Sequence, residues 1–120
     1  MQVIVTSSQQ ETQEQYEGTL GRLQSVFDQL PGAKLSQENG ATPSGATFFY
    51  ILRTSKNLVS SGDVFSALAV IRSKDRTIIL VFEAPIQSLS NMGKQTERKR
   101  FDETARQIFL SAERNPRDYD

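Results

Sequence analysis

The sequence predicts one α+β domain: an antiparallel sheet of four to five strands with two amphipathic helices packed on one face, in the order β-α-β-β-β-α. Three observations predict it. Apolar side chains recur at helical steps near residues 16–30 and again near 101–112. Between these stretches lie three runs rich in β-branched and aromatic residues. Two of those runs are separated only by Lys74-Asp75, the length of a tight hairpin turn. With 120 residues the chain has enough apolar material for one core, so residues 1–120 are read as a single domain with a flexible tail at 115–120.

Taken in order, residues 2–6 (Gln-Val-Ile-Val-Thr) are short and β-branched, and read as a strand. Ser8 with Glu11 three residues later has the pattern of a capping box, which starts a helix there. Tyr16, Leu20, Leu23, Phe27 and Leu30 then follow at steps of four, three, four and three, a single stripe that Val26 widens. Gly18 and Gly21 weaken this helix unless its stripe is buried or another backbone approaches them. Pro31-Gly32 stops it. Residues 33–45 are rich in turn formers and read as a connection, with at most a short edge strand at Lys34–Ser36.

Ala46–Thr54, Val64–Ser73 and Arg76–Ala84 read as strands. In Phe48-Phe49-Tyr50-Ile51-Leu52 and in Thr77–Phe82 both alternating sets are apolar, which places these strands inside a sheet. After Pro85 a loop leads to a helix at about 95–114, with Phe101, Ala105, Ile108, Phe109 and Ala112 as its buried stripe and Asn115-Pro116 as its end.

Composition narrows the chemistry. The chain has no histidine and no cysteine, which removes Ser-His-Asp and Cys-His catalysis, thiol redox chemistry and zinc, haem or iron–sulfur ligation. No cofactor is expected. Fourteen basic side chains balance fourteen acidic ones, so no overall field draws the protein to nucleic acid or anionic lipid. No run has the length of a membrane span, and the start lacks the features of a signal peptide. A complete chain is therefore expected in the cytoplasm; one trimmed of a leader or anchor is expected in the cell envelope.

Several stretches together resemble the PsbP-like and DcrB-like small α+β domains, a group of photosystem accessory proteins, bacterial envelope proteins and chaperones of secreted effectors. They are Val3-Ile4-Val5 entering a long helix, Tyr16, Leu20 and Leu23 running into Leu30-Pro31-Gly32-Ala33-Lys34-Leu35, the strand Ile78–Phe82 ending in Glu83-Ala84-Pro85, and a closing helix carrying Phe101 and Phe109. The resemblance lies in element order and spacing, and this chain starts too late to hold the one or two opening strands usual in the group. It implies a role in binding another protein and transfers no functional residue.

Two surfaces stand out as candidate sites. Two helices on one face would leave the other bare, so Phe48, Tyr50 and Leu52, or the alternate set Phe49 and Ile51, are candidates for binding a partner protein or a second copy. The opposing reading is that Leu58-Val59 and the segment Ile86–Met92 cover that face. Lys94, Arg98, Lys99 and Arg100 form a basic segment that is a candidate anion site, or else a solvated face pairing with Asp102 and Glu103. No aromatic residue is interleaved there to stack on bases, which disfavours nucleic acid.

Other chemistry is weaker. Asp63, Asp75 and Glu83 would have to converge to work as an acid–base or hard-cation site. Gly93-Lys94 lacks the spacing of a phosphate loop, and Ser60-Ser61-Gly62 and Ser73-Lys74 have ordinary turn composition. The sequence thus points to a non-enzymatic accessory domain. Its rivals are a small lyase- or isomerase-type enzyme using Glu83, Tyr50 or Arg53 in a sheet–helix pocket, and an anion- or nucleic-acid-binding module using residues 94–100.

Overall fold

The computed structural model describes residues 1–56 and 62–114. Expectations for Leu58-Val59, Ser60-Ser61 and the tail 115–120 fall outside them. The elements are β1 (Gln2–Gln10), α1 (Gln13–Gln29), β2 (Ala33–Ala41), β3 (Thr47–Lys56), β4 (Asp63–Ser73), β5 (Arg76–Pro85) and α2 (Asn91–Arg114). The five strands form one sheet in the order β1-β5-β4-β3-β2, and every pairing is antiparallel. Four successive reversals leave the two edge strands, β1 and β2, running parallel. The connection between them, α1, must therefore cross the whole sheet. Its 17 residues span about 25 Å, enough to cover a width of roughly 19 Å diagonally.

The helices lie on opposite faces of the sheet, which corrects the expected arrangement. Register places Phe48, Tyr50 and Leu52 on one face with Ala67, Ala69, Ile71, Ile78, Leu80 and Phe82, and these pack with Phe101, Ala105, Phe109 and Ala112 of α2. The alternate set, Phe49, Ile51, Leu68 and Val70, packs with Tyr16 and Phe27 of α1, joined by Leu20, Leu23, Ile79 and Val81. Strands that are apolar on both sides need a cover on both sides, and two helices supply one each. Ala67 and Ala69 on the central strand leave a trough that admits α2 closely. There Phe109 sits 5.2 Å from both the Phe48 and the Tyr50 ring. Larger side chains on the other face hold α1 farther off.

The boundaries differ from the expected ones where the sequence is polar. Ser7–Gln10 pair with Ile79–Arg76 and extend β1, so α1 starts later, at a Thr12 cap. Thr12 and Gln15 form the capping box: the Gln15 amide donates to Thr12 Oγ1, and the Thr12 amide donates to Gln15 Oε1. On α1, Tyr16, Thr19 and Phe27 are buried, whereas Val26 and Leu30 are exposed and Gly18 and Gly21 face open space. Thr19 takes an inward place because its hydroxyl donates to Glu11 Oε2.

The segment expected as a connection, 33–45, supplies all of β2. Gly32 makes the entry, at φ +123° and so close to β3 that a Cβ would lie 1.9 Å from the Thr54 carbonyl oxygen. Gly40 lies under the Phe48 ring, where a Cβ would stand 2.8 Å from it. Ile86 packs at the edge of the α2 core, but Leu89 and Met92 are exposed, so the 86–92 segment does not fold over a sheet face.

Candidate functional site

The apolar residues proposed from the sequence as a docking face are all interior. Phe48, Tyr50 and Leu52 lie beneath α2, and Phe49 and Ile51 lie beneath α1, none more than 7% exposed. The assumption of one covered face failed, and the surface inferred from it does not exist in this fold. The carboxylates do not converge either. Asp75 sits in the β4–β5 turn, about 30 Å along the hairpin from Asp63 and Glu83. Asp63 and Glu83, at the other end, project toward opposite faces by register.

Tyr50 and Arg53 have structural surroundings. The Tyr50 hydroxyl is fully buried and meets no hydrogen-bond partner among the described residues. Burial, then the nearby Asp102 carboxylate, push its titration far above the ordinary tyrosine value. Asp102 is close enough to bias that proton but is not in hydrogen-bonding geometry. Arg53 donates to the carbonyl oxygens of Phe27 and Leu30 at the end of α1.

A candidate site lies between β2 and α2. Because α2 rests chiefly on β4 and β5, the described residues leave a gap between it and β2. A groove of about 480 Å³ runs there, floored by Leu52 and bordered by Ser36, Arg98, Lys99, Asp102 and Arg106. Arg106 closes part of it. Its Nη2 donates to Glu38 Oε2 at 2.5 Å and its Nε to Asp102 Oδ2 at 3.0 Å, with the guanidinium 4.9 Å from the centre of the Tyr50 ring. Burial opposes the Arg106 charge, but the two carboxylates more than offset it and hold its pKa above the ordinary arginine value.

Arg98 and Lys99 remain as the groove's unneutralised cations. Arg98 Nη2 donates to the Leu35 carbonyl oxygen at 3.4 Å, and neither residue has a carboxylate partner among the described residues. Of the basic segment singled out in the sequence, the structure brings Arg98 and Lys99 together here. Arg100 lines a separate hollow of about 200 Å³ beside Glu97 and Phe101, and Lys94 lines neither.

Sequence reasoning found only a short piece, Lys34–Ser36, of the strand that makes the other wall, Ala33–Ala41. β2 carries one large apolar residue, Leu35, so it has no alternating pattern to find. A signal was present elsewhere: Phe48–Leu52 is apolar on both faces, an interior strand needs a neighbour on each side, and the hairpin β4–β5 supplies only one.

Among the described residues no helix is long and apolar enough to cross a membrane. No family model, curated protein or solved structure matches this chain.

Proposed function

We propose that this domain is a non-enzymatic accessory module that captures an extended, acidic segment of a partner protein along β2. The outer main chain of β2, regular from Ser36 to Ala41 and without a neighbouring strand among the described residues, carries this reading. A guest strand can satisfy that row of N–H and C=O groups, adding main-chain affinity that is independent of side chains. Specificity then falls to the groove beside it. Alternate guest side chains point toward α2, where Arg98 and Lys99 meet carboxylates. Arg106 is already neutralised by Glu38 and Asp102, and so serves to pin α2 to β2 rather than to hold the guest. The resemblance to PsbP-like and DcrB-like domains, whose common theme is holding another protein, points the same way.

The test is titration of a short peptide alternating glutamate and valine, followed by amide chemical shifts and hydrogen exchange. The expected result is slowed exchange along 33–41, binding that weakens with added salt, and loss of binding in Lys99→Glu. Equal binding of the lysine–valine counterpart, or protection confined to other strands, would overturn the proposal. So would a concentration-dependent dimer that pairs β2 with itself.

A further inference from the structure

A second cavity lies at the far end of the sheet, on the side of α1 and away from the β2–α2 groove. About 410 Å³ in volume, it is bounded by Gln13 of α1, Ser44 of the β2–β3 connection, Thr47 at the start of β3, and Arg72, Ser73 and Lys74 of the β4–β5 hairpin. Three hydroxyls, a guanidinium and an ammonium thus border one hollow, and among the described residues no carboxylate lines it. The neighbouring acid in the turn, Asp75, faces elsewhere: its Oδ2 accepts from Gln10 Nε2 at 2.9 Å, and its backbone oxygen accepts from the Glu11 amide.

Both cations are held there at a cost. The Arg72 guanidinium lies 5.8 Å from the centre of the Tyr16 ring and makes one long hydrogen bond, Nη1 to Thr77 Oγ1 at 3.5 Å. Its Nε is buried and lacks a partner among the described residues. A buried guanidinium N–H without an acceptor is destabilising, and among the described residues no carboxylate pairs with this one. Lys74 is the one described non-glycine residue at positive φ, +56°, in the first central position of a two-residue hairpin turn. Turns of that shape favour glycine, because a Cβ is strained there. Glycine would fit the backbone better, but only a long basic side chain puts a charge beside Arg72.

We propose that this cavity binds the phosphate group of a small phosphomonoester. Arg72 presents a planar fork to two phosphate oxygens, Lys74 supplies a point charge to the third, and the hydroxyls of Thr47 and Ser73 border them, with that of Ser44 already shared with Thr42. The Gln13 end of α1 adds the positive pole of the helix. The cavity holds more than a bare phosphate, leaving room for the attached organic group.

The experiment is calorimetric titration of the intact chain with inorganic phosphate, glycerol phosphate and a serine-phosphorylated peptide, repeated on Lys74→Gly and Arg72→Gln. The expected result is saturable binding with glycerol phosphate the tightest, weakened at least about tenfold in both variants. Lys74→Gly relieves the turn, so its unfolding midpoint stays level or rises while binding falls, which separates lost affinity from lost structure. Absence of saturable binding, unchanged affinity in Lys74→Gly, or a preference for the phosphopeptide would each overturn the proposal. None of these outcomes depends on the β2 groove, whose test uses a peptide without phosphate.

Discussion

Arg53 Nη2 donates to the Leu30 carbonyl oxygen at 2.8 Å, so a side chain in the middle of the sheet closes the end of the helix that crosses it. The same guanidinium also takes the Phe27 carbonyl, and the residue is only 4% exposed. Terminal carbonyls carry the negative pole of the helix, and the last turn of α1 contains no basic residue of its own. Arg53→Met is expected to lower unfolding free energy by about 2–4 kcal/mol, because two carbonyls lose a charged donor in a buried place. Arg53→Lys, with a single-point ammonium in place of a fork, is expected to recover less than half of it. Urea unfolding of both variants measures this.

Gly18 and Gly21 face open space on the outer side of α1, so a methyl group there touches nothing. Gly18→Ala and Gly21→Ala are each expected to stabilise the fold by roughly 0.5–1 kcal/mol, and the double variant by about the sum. Thermal unfolding followed by circular dichroism is the check. A loss of stability would mean that another surface approaches these glycines.

Tyr50 gives a prediction at alkaline pH. Its folded pKa lies above the unfolded value, so the native state holds the phenol proton more tightly. The resulting stability is complete below about pH 10 and is lost as pH rises beyond it. Tyr16 is shifted the same way by burial and adds to the decline. Tyr50→Phe removes a buried hydroxyl that has no partner among the described residues, so at neutral pH it is expected to be neutral or to stabilise by about 1 kcal/mol. The variant also unfolds less steeply with alkali. Denaturation midpoints at pH 7 and above pH 10 test both statements.

Glu97 gives a prediction at acidic pH. Its carboxylate accepts from the Ser88 and Gln87 amides, at 2.6 and 3.0 Å, and ties the loop before α2 to the first turns of that helix. Hydrogen bonding by Ser88, then by Gln87, lowers its pKa. A lowered carboxylate pKa gives stability that is present above about pH 4.3 and disappears as pH falls through the folded value. Glu97→Gln is expected to speed amide exchange at Gln87 and Ser88 at neutral pH, with the difference from the parent vanishing in acid.

Most elements were legible because burial writes a period into the sequence. Phe48–Leu52 and Thr77–Phe82 showed strands apolar on both faces, and Phe101, Ala105, Phe109 and Ala112 showed the inward stripe of α2. Edge pairing writes no such period. Ser7–Gln10 and Ala33–Ala41 are strands because an interior strand offers them main-chain partners, and their own side chains remain largely polar and solvated. The placement of the helices followed from the same two-sided strands, had each apolar set been assigned its own cover. Of the groove, the sequence showed Arg98 and Lys99 as charges on one segment. It could not show Ser36 or the clasp from Arg106 to Glu38, because these join residues 68 positions apart. Lys74 was legible as a turn residue, but its positive φ is a property of the folded hairpin.

An odd number of alternating strands gives both rims of the sheet the same direction. A copy shifted sideways by one sheet width would therefore lay its β1 against another's β2 in parallel, and the repeat would have no natural end. Such stacking builds filaments rather than closed pairs. Both rims carry an irregular step, between Val3 and Val5 on β1 and between Lys34 and Ser36 on β2, and each interrupts the straight run that a stacking neighbour would need.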